Sequence, residues 1–577
     1  MIASLKKYIW LICLICVFVI GVESNLAQTP IYDTESIFHP ITARSGMVSS
    51  QEKLATQAGL EVLQQGGNAV DAAVTVGFAL AVTLPRAGNI GGGGFMMIHF
   101  ADNNQNIALD YREKAPLKAT KNMFLDDKGE VDSNKSRFSH LAVGVPGTVA
   151  GLTFALEKYG TISLKRALQP AIELAEKGFP VTQDFYDSLL FSRPYLERNP
   201  ASQEIYFPNG NPPPIGSTFQ QPQLAKTLKL IAKEGKKAFY EGEIARNIVQ
   251  EMSKNGGLIT LEDLMSYEPK IRQPIQGEYL GYQIYSMPPP SSGGVHLIQM
   301  LNILKGFDLK NLGHNTADTI HLMAETMKLA YADRSLYLGD PDFVDVPIQG
   351  LISQEYADFL REKIDKNQAI PSNKIKPNHP FNFRESHETT HYSIVDQYGN
   401  AVANTYTLNF SYGTGITVPN SGFLLNNEMD DFVAKPNTPN AYGLTGGEYN
   451  AIAPEKRMLS SMTPTIITKD GEVFLVTGSP GGSRIITTVL QIIINVLEFN
   501  LNIAEATVSP RFHHQWLPDE LLLEKGINQD TRQILAKKGH NLKDSRAMGS
   551  TQSIMKQDKF LYGFSDPRRR EALTLGF

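Results

Sequence analysis

After residue 388 the chain changes character abruptly. Residues 389–395 and 401–408 are rich in β-formers and flank the turn Asp396-Gln397-Tyr398-Gly399-Asn400. Residues 463–468 and 472–477 flank Asp470-Gly471, a strong signal for a two-residue hairpin turn. Any fold for this chain must therefore house two antiparallel hairpins in its last third. The stretch before them, 367–388, is the opposite kind of sequence. Pro371, Pro377 and Pro380 punctuate a polar run with few clustered apolar residues. It reads as an exposed loop or linker, where chain cleavage is tolerated. The plain alternative is a surface loop and nothing more.

Turn positions fix an expected register. A first turn centred on Tyr398 puts Thr389 opposite Thr407, with Asn409 one alternation further on the same face. A second turn at Asp470-Gly471 puts Ser460 opposite Gly481 and Ser461 opposite Pro480. A slip of one residue would flip the faces, and Pro464 can disturb the ladder. The hairpin ends thus gather hydroxyls, an amide and a Pro-Gly-Gly turn. Serine, threonine and Gly-Gly are common in strands and turns, so spacing alone leaves the chemistry open.

Upstream, residues 51–66 are amphipathic at helical spacing and run into Gly66-Gly67-Asn68, a C-cap signal, with a second helix expected from Ala69. Residues 95–100 and 107–111 read as paired strands across the polar turn 102–106. Residues 160–365 alternate helical patterns with polar loops. The clearest helix is 314–334, with Thr316 capping a start at Ala317. No internal repeat stands out.

The 577 residues are 42% hydrophobic and 20% charged, an ordinary globular balance that allows two domains or one large layered domain. A net charge of -5, with both signs interspersed, argues against nucleic acid as a partner. Lys6 and Lys7 precede an apolar run, 8–22, shorter than the roughly 20 residues of a bilayer span. This matches a secretory signal peptide, 1–24, with cleavage possible as late as residue 27, and implies export, most simply to the periplasm or as a secreted protein. An uncleaved anchor is the alternative. Cys13 and Cys16, the sole cysteines, lie inside that run, so the mature chain is expected to lack disulfides, a cysteine nucleophile and Cys-type zinc sites.

From Thr389 the sequence TTHYSIVDQYGNAVANTYTLNFSYGTGI resembles the start of the small subunit of γ-glutamyltransferases. NNEMDDF from Asn426, MLSSMTPT from Met458, LVTGSPGGSRI from Leu475 and FHHQWLPDE from Phe512 also match that family. So do GNIGGGGFM from Gly88, DYREKAP from Asp110, GVPGTVAGL from Gly144 and PPPSSGGVH from Pro288. The ordered set runs from about residue 40 to the C-terminus and is specific where each motif alone is weak. The resemblance implies an α/β, N-terminal-nucleophile hydrolase fold, an αββα sandwich built jointly by two subunits. The precursor would cleave itself between Glu388 and Thr389 into a large subunit, 25–388, and a small one, 389–577, which stay together as a heterodimer.

The resemblance also assigns roles. Thr389 would be the nucleophile, and its new α-amine, with a reference pKa of about 7.7–8, the base. Thr407 would fix the Thr389 rotamer. The backbone N–H groups of Gly481 and Gly482 would form the oxyanion hole. Arg112 would bind the substrate α-carboxylate, helped by Ser460 and Ser461. Asn409, Glu428 and Asp431 would hold the α-ammonium, Glu428 at a position where the family has Gln or Glu. Residues 436–447 would be a lid loop gated by Tyr442. The substrates implied are glutathione and other γ-glutamyl compounds, with amino acids, peptides or water as acceptors, and no cofactor.

Blander readings stand beside these: a surface salt bridge for Arg112, a solvated acidic turn for Asp431, an ordinary loop for 436–447. His513-His514 lacks the ligand spacing of a metal site, so no metal is expected. Glycines 91–94 lack dinucleotide-loop spacing and suit close backbone packing. Two rival functions remain. One is a glutaryl- or cephalosporin-type acylase of the same fold, which the acidic pair Glu428 and Asp431 argues against. The other is an unprocessed binding protein for glutamate-like solutes.

Overall fold

Both hairpins form, and each is an inner pair of a larger sheet. In the first, Thr390–Val395 pairs with Ala401–Thr407 so that Thr390 faces Tyr406, which brings Thr389 beside Thr407 as the turn position predicts. Asp396 sets this turn. Its Oδ1 accepts the backbone N–H groups of Tyr398 and Asn400, both at 2.9 Å, while Oδ2 accepts that of Ala69 at 2.8 Å.

The second hairpin departs from expectation. Lys469 faces Glu472 and Thr468 faces Val473, but the register then shifts between Ile467 and Thr468, and the ladder ends at Thr465–Thr477. This β-bulge, followed by Pro464 with no N–H to offer, means that Ser460 does not face Gly481, nor Ser461 Pro480. Instead Ser460 forms a parallel bridge with Ser291. Its N–H reaches the Pro290 carbonyl at 2.8 Å and its carbonyl accepts from Ser292 N–H at 2.9 Å.

The computed structural model describes residues 36–375, 389–436 and 438–577. The expected signal segment 1–24, Glu388 and the end of the 367–388 linker lie outside the described residues. Two units are distinguished, Met1–His39 and Pro40–Phe577. Within the first, Ser36 Oγ donates to the Phe38 carbonyl at 3.0 Å. The second unit holds everything that follows, one layered body rather than two domains.

It contains two seven-stranded sheets. One runs in the order Leu573–Gly576, Met47–Ser50, Thr390–Val395, Ala401–Thr407, Gly93–Phe100, Gln105–Tyr111, Lys270–Arg272. The other runs Ile41–Ala43, Phe560–Ser565, Gln552–Gln557, Glu472–Thr477, Thr465–Lys469, Tyr282–Ser286, Ile275–Tyr279. Each sheet takes strands from both sides of residue 388. The central strands are apolar on both faces because both are covered. Phe95, Met97, Ala401 and Ala403 pack towards Ile466 and Leu475 of the second sheet. Their alternates Met96, Ile98, Val402 and Tyr406 pack on the helix Ala69–Thr83, through Val70, Val74 and Phe78. Helices Gly293–Leu304 and Ile503–Val508 cover the outer face of the second sheet. The layering is therefore helix, sheet, sheet, helix, the αββα sandwich expected.

Helix limits follow local chemistry. The helix expected over 51–66 spans Lys53–Gln64, and Asn68 is the N-cap of Ala69–Thr83 in a capping box with Asp71 rather than part of the preceding C-cap. Ala317–Tyr337 starts where Thr316 Oγ1 accepts Thr319 N–H at 3.3 Å. Among the described residues, no helix is long and apolar enough to cross a membrane.

Candidate active site

The open end of the first hairpin and the bridge at Ser460 meet in one pocket. It is lined by Arg112, Thr389, Thr407, Asn409, Glu428, Asp431, Tyr442, Ser460, Ser461 and Gly482, together with Arg334, Leu444, Met462 and Ile485. Of the side chains singled out from the sequence, every one in the described residues reaches it. Gly481 stands one residue outside the lining. The free space at the centre is only about 20 Å³, room for little more than a water.

Thr389 is 4% exposed. Its hydroxyl donates to Thr407 Oγ1 at 3.4 Å, and the same oxygen accepts Asn409 N–H at 2.8 Å. Asn409 adopts a left-handed φ of 75°, a region asparagine tolerates, which turns the chain away just past Thr407. Behind the strand lies Gly92, where a Cβ would sit 1.9 Å from the Thr407 carbonyl oxygen. The glycine run is thus the close-packing device expected, and only Gly fits.

Arg112 follows the strand Gln105–Tyr111 and is 1% exposed, so it is no surface salt bridge. Its Nε donates to the Met458 carbonyl at 3.3 Å. Nη1 lies 2.5 Å from Glu428 Oε2 and 3.7 Å from Glu113 Oε2, and Nη2 lies 2.6 Å from Asp431 Oδ2. Since each Nη carries two hydrogens, one N–H on each remains for a ligand. Glu428 and Asp431 sit on the short turn Glu428–Asp431, fully buried in the case of Glu428, so the acidic turn is not a solvated one.

The electrostatics follow from burial. Desolvation pushes the Glu428 and Asp431 carboxyls up, with Arg112 pulling them back. Glu113, with neither carboxylate oxygen hydrogen-bonded, is pushed up to about 8 by the same burial, against the Arg112 charge. For Arg112, burial favours the neutral form, but Glu428 and Asp431 above all outweigh it and hold the guanidinium charged.

Tyr442 closes the pocket. It is 4% exposed; its hydroxyl donates to the Asn409 carbonyl at 2.9 Å and meets Asn409 Oδ1. Its ring lies against Gly482, where a Cβ would come within 2.5 Å of Cδ1. Gly482 has φ 55° and Gly481 φ 136°, both in the region that favours glycine. They lead through the turn Gly482–Arg484 into helix Ile485–Leu497, so their N–H groups lie near a helix start, where anions are favoured. His513 and His514 do not enter the pocket. His513 Nδ1 contacts Thr487 Oγ1 at 2.8 Å and His514 Nε2 lies 3.3 Å from Asp519 Oδ1.

Two charged residues of the site escaped the sequence reading, Arg334 and Glu113. Arg334 lies in a helix buried on nearly all sides, so no polar stripe sets it apart. Glu113 sits in an Arg-Glu-Lys triple that reads as solvated. Its signal was position, two residues beyond a buried strand residue, Tyr111, and on the same alternation.

The family model described as Gamma-glutamyltranspeptidase matches residues 55–575. The chain belongs to the gamma-glutamyltranspeptidase family. It is 56% identical over 545 residues to the glutathione hydrolase proenzyme of Escherichia coli (strain K12), covering 94% of each chain. Among solved structures, the cephalosporin acylase from Bacillus halodurans superposes with a TM-score of 0.84 at 28% identity, covering 95% of this chain and 98% of that one. The gamma-glutamyltranspeptidase of Helicobacter pylori matches at 49% identity and a TM-score of 0.56, covering 60% of this chain and 97% of that one. The fold is thus that of the N-terminal-nucleophile hydrolases of this family, and the chain is a family enzyme.

Proposed function

We propose that the protein is a γ-glutamyltransferase and glutathione hydrolase that matures by cutting itself between Glu388 and Thr389. The observation that carries this reading is the convergence of Thr389 with a buried cation, the buried Glu428 and the largely buried Asp431 in one pocket. A γ-glutamyl group ends in a zwitterion, and this wall offers charges of both signs within reach of a hydroxyl nucleophile.

In maturation, Thr389 Oγ attacks the Glu388 carbonyl carbon. The C–N bond breaks, an ester forms, and water opens it to leave Glu388 as a carboxylate and Thr389 with a free amine. That amine then takes the Thr389 hydroxyl proton, directly or through a water. The hydroxyl oxygen attacks the γ-amide carbon of glutathione or a related amide. The Gly481 and Gly482 N–H groups stabilise the oxyanion, the amine leaves with a proton, and the γ-glutamyl ester passes to an amino acid, a peptide or water. Arg112 with Ser460 and Ser461 receives the α-carboxylate; Asp431, Glu428 and Asn409 receive the α-ammonium. Tyr442 and the loop 436–447 open to admit substrate, a reading supported by the small free volume behind Tyr442. Large and small subunits remain one body, a reading supported by the strands each contributes to both sheets. Lys6, Lys7 and the apolar run 8–22 support export to the periplasm.

The likeness to a cephalosporin acylase favours a second reading, an acylase for glutaryl-type amides. Steady-state rates on γ-glutamyl-p-nitroanilide and glutaryl-p-nitroanilide separate the two. Loss of the charged contacts to the ammonium should cost the glutaryl substrate on the order of 10–100-fold in kcat/KM. Equal rates would replace the transferase reading by the acylase one.

A further inference from the structure

Arg334 enters the pocket from the helix Ala317–Tyr337, 6% exposed. Its Nε donates to Ser292 Oγ at 2.9 Å and its Nη2 to Ser461 Oγ at 3.0 Å. Unlike Arg112, it has no carboxylate within salt-bridge distance among the described residues; burial works against its charge, offset in part at longer range by Tyr331 and Asp431. A buried guanidinium held only by hydroxyls is costly unless something offsets its charge.

The hydrogen-bond polarity says what it does there. A guanidinium only donates, so Ser461 Oγ must accept, and the Ser461 hydroxyl proton has to turn elsewhere. Ser460 Oγ is treated alike, since it accepts Met462 N–H at 3.1 Å. Both hydroxyls therefore keep their own proton for a ligand in the pocket they line. Ser292 completes the frame: it accepts from Arg334 and donates to the Ser460 carbonyl at 2.8 Å. With the spare N–H groups of Arg112, the two hydroxyls make a set of donors suited to a carboxylate, next to the carboxyl groups of Glu428 and Asp431 that Arg112 pairs with.

We propose that Arg334 is a positioning and specificity-determining residue: by occupying Ser461 Oγ as an acceptor it commits that hydroxyl to donate to the substrate α-carboxylate. This rests on the γ-glutamyl reading above. It assigns Arg334 no contact with the reacting atoms.

The test is kinetic. Wild type, Arg334→Gln, Arg334→Lys, Ser461→Ala and the Arg334→Gln/Ser461→Ala double variant are assayed on γ-glutamyl-p-nitroanilide. Each is also assayed on its analogue with the α-carboxylate replaced by a carboxamide. Arg334→Gln should raise KM for the carboxylate substrate on the order of 10-fold or more, with kcat within a few-fold, and change KM for the carboxamide far less. Ser461→Ala should add little to Arg334→Gln, because both remove the same donated hydrogen bond. Arg334→Lys, which keeps the charge and one donor, should fall between, and stands alone as the test if the Gln variant does not fold. Equal losses on the two substrates, or losses that multiply in the double variant, would overturn the role of Arg334. If wild type itself did not prefer the carboxylate substrate, the γ-glutamyl reading would fall first.

Discussion

At the scale of single residues, three carboxyls surround Arg112: Glu428 and Asp431, which line the pocket, and Glu113, buried beside them. Burial pushes the Glu113 carboxyl up to about 8. The sign follows directly. Below that pH the group is a neutral acid, and Arg112 keeps its spare N–H groups for substrate. As pH rises through about 8, Glu113 gains a negative charge 3.7 Å from Nη1 and competes for the guanidinium. KM for γ-glutamyl substrates should therefore rise above pH 8 in wild type, while Glu113→Gln removes that arm. Paired KM profiles between pH 6.5 and 9.5 measure it. Substrate and N-terminal amine titrations appear in both proteins and cancel in the ratio, so parallel profiles would refute the Glu113 assignment.

At the scale of elements, the turn Pro480–Gly481–Gly482 carries the strictest demand. Gly482 combines a positive φ with contact against the Tyr442 ring. Gly482→Ala should displace both the N–H proposed to meet the oxyanion and the Tyr442 ring packed against it. The expected loss is on the order of 100-fold in kcat, with the two fragments still folded together on a native gel; retention of wild-type kcat would remove Gly482 from the oxyanion hole. The two hairpins also show what a sequence discloses. The first was legible to the residue, because the Asp396 side chain fixes its turn and no bulge intervenes. The second was legible only near its turn. A bulge at Ile467/Thr468 moved the rest by one position, and no side-chain pattern announced it. Ser460 and Ser461 still reach the site, but through the Pro288–Ser292 segment, whose bridge to Ser460 is a long-range contact outside any local period. Arg334 was hidden for a similar reason: its helix is buried on almost every face, so periodicity gave it no direction.

At the scale of the molecule, the sandwich is built so that the proposed cleavage before Thr389 would leave the body intact. The chain on either side of residue 388 supplies strands to both sheets, interleaved rather than segregated. Phe95 and Met97 from one side pack with Ala401, Ile466 and Leu475 from the other in a shared core. Among the described residues, a cut before Thr389 would break no strand pairing, and it would place a new amine at the hydroxyl that lines the pocket. The most direct measurement is the N-terminal residue of the smaller fragment of the purified protein, taken beside the Thr389→Ala variant on the same denaturing gel. The account predicts two fragments in wild type, the smaller beginning at Thr389, and one uncut, inactive chain in the variant. A wild-type chain that stays whole at neutral pH, or a smaller fragment beginning at any other residue, would contradict it.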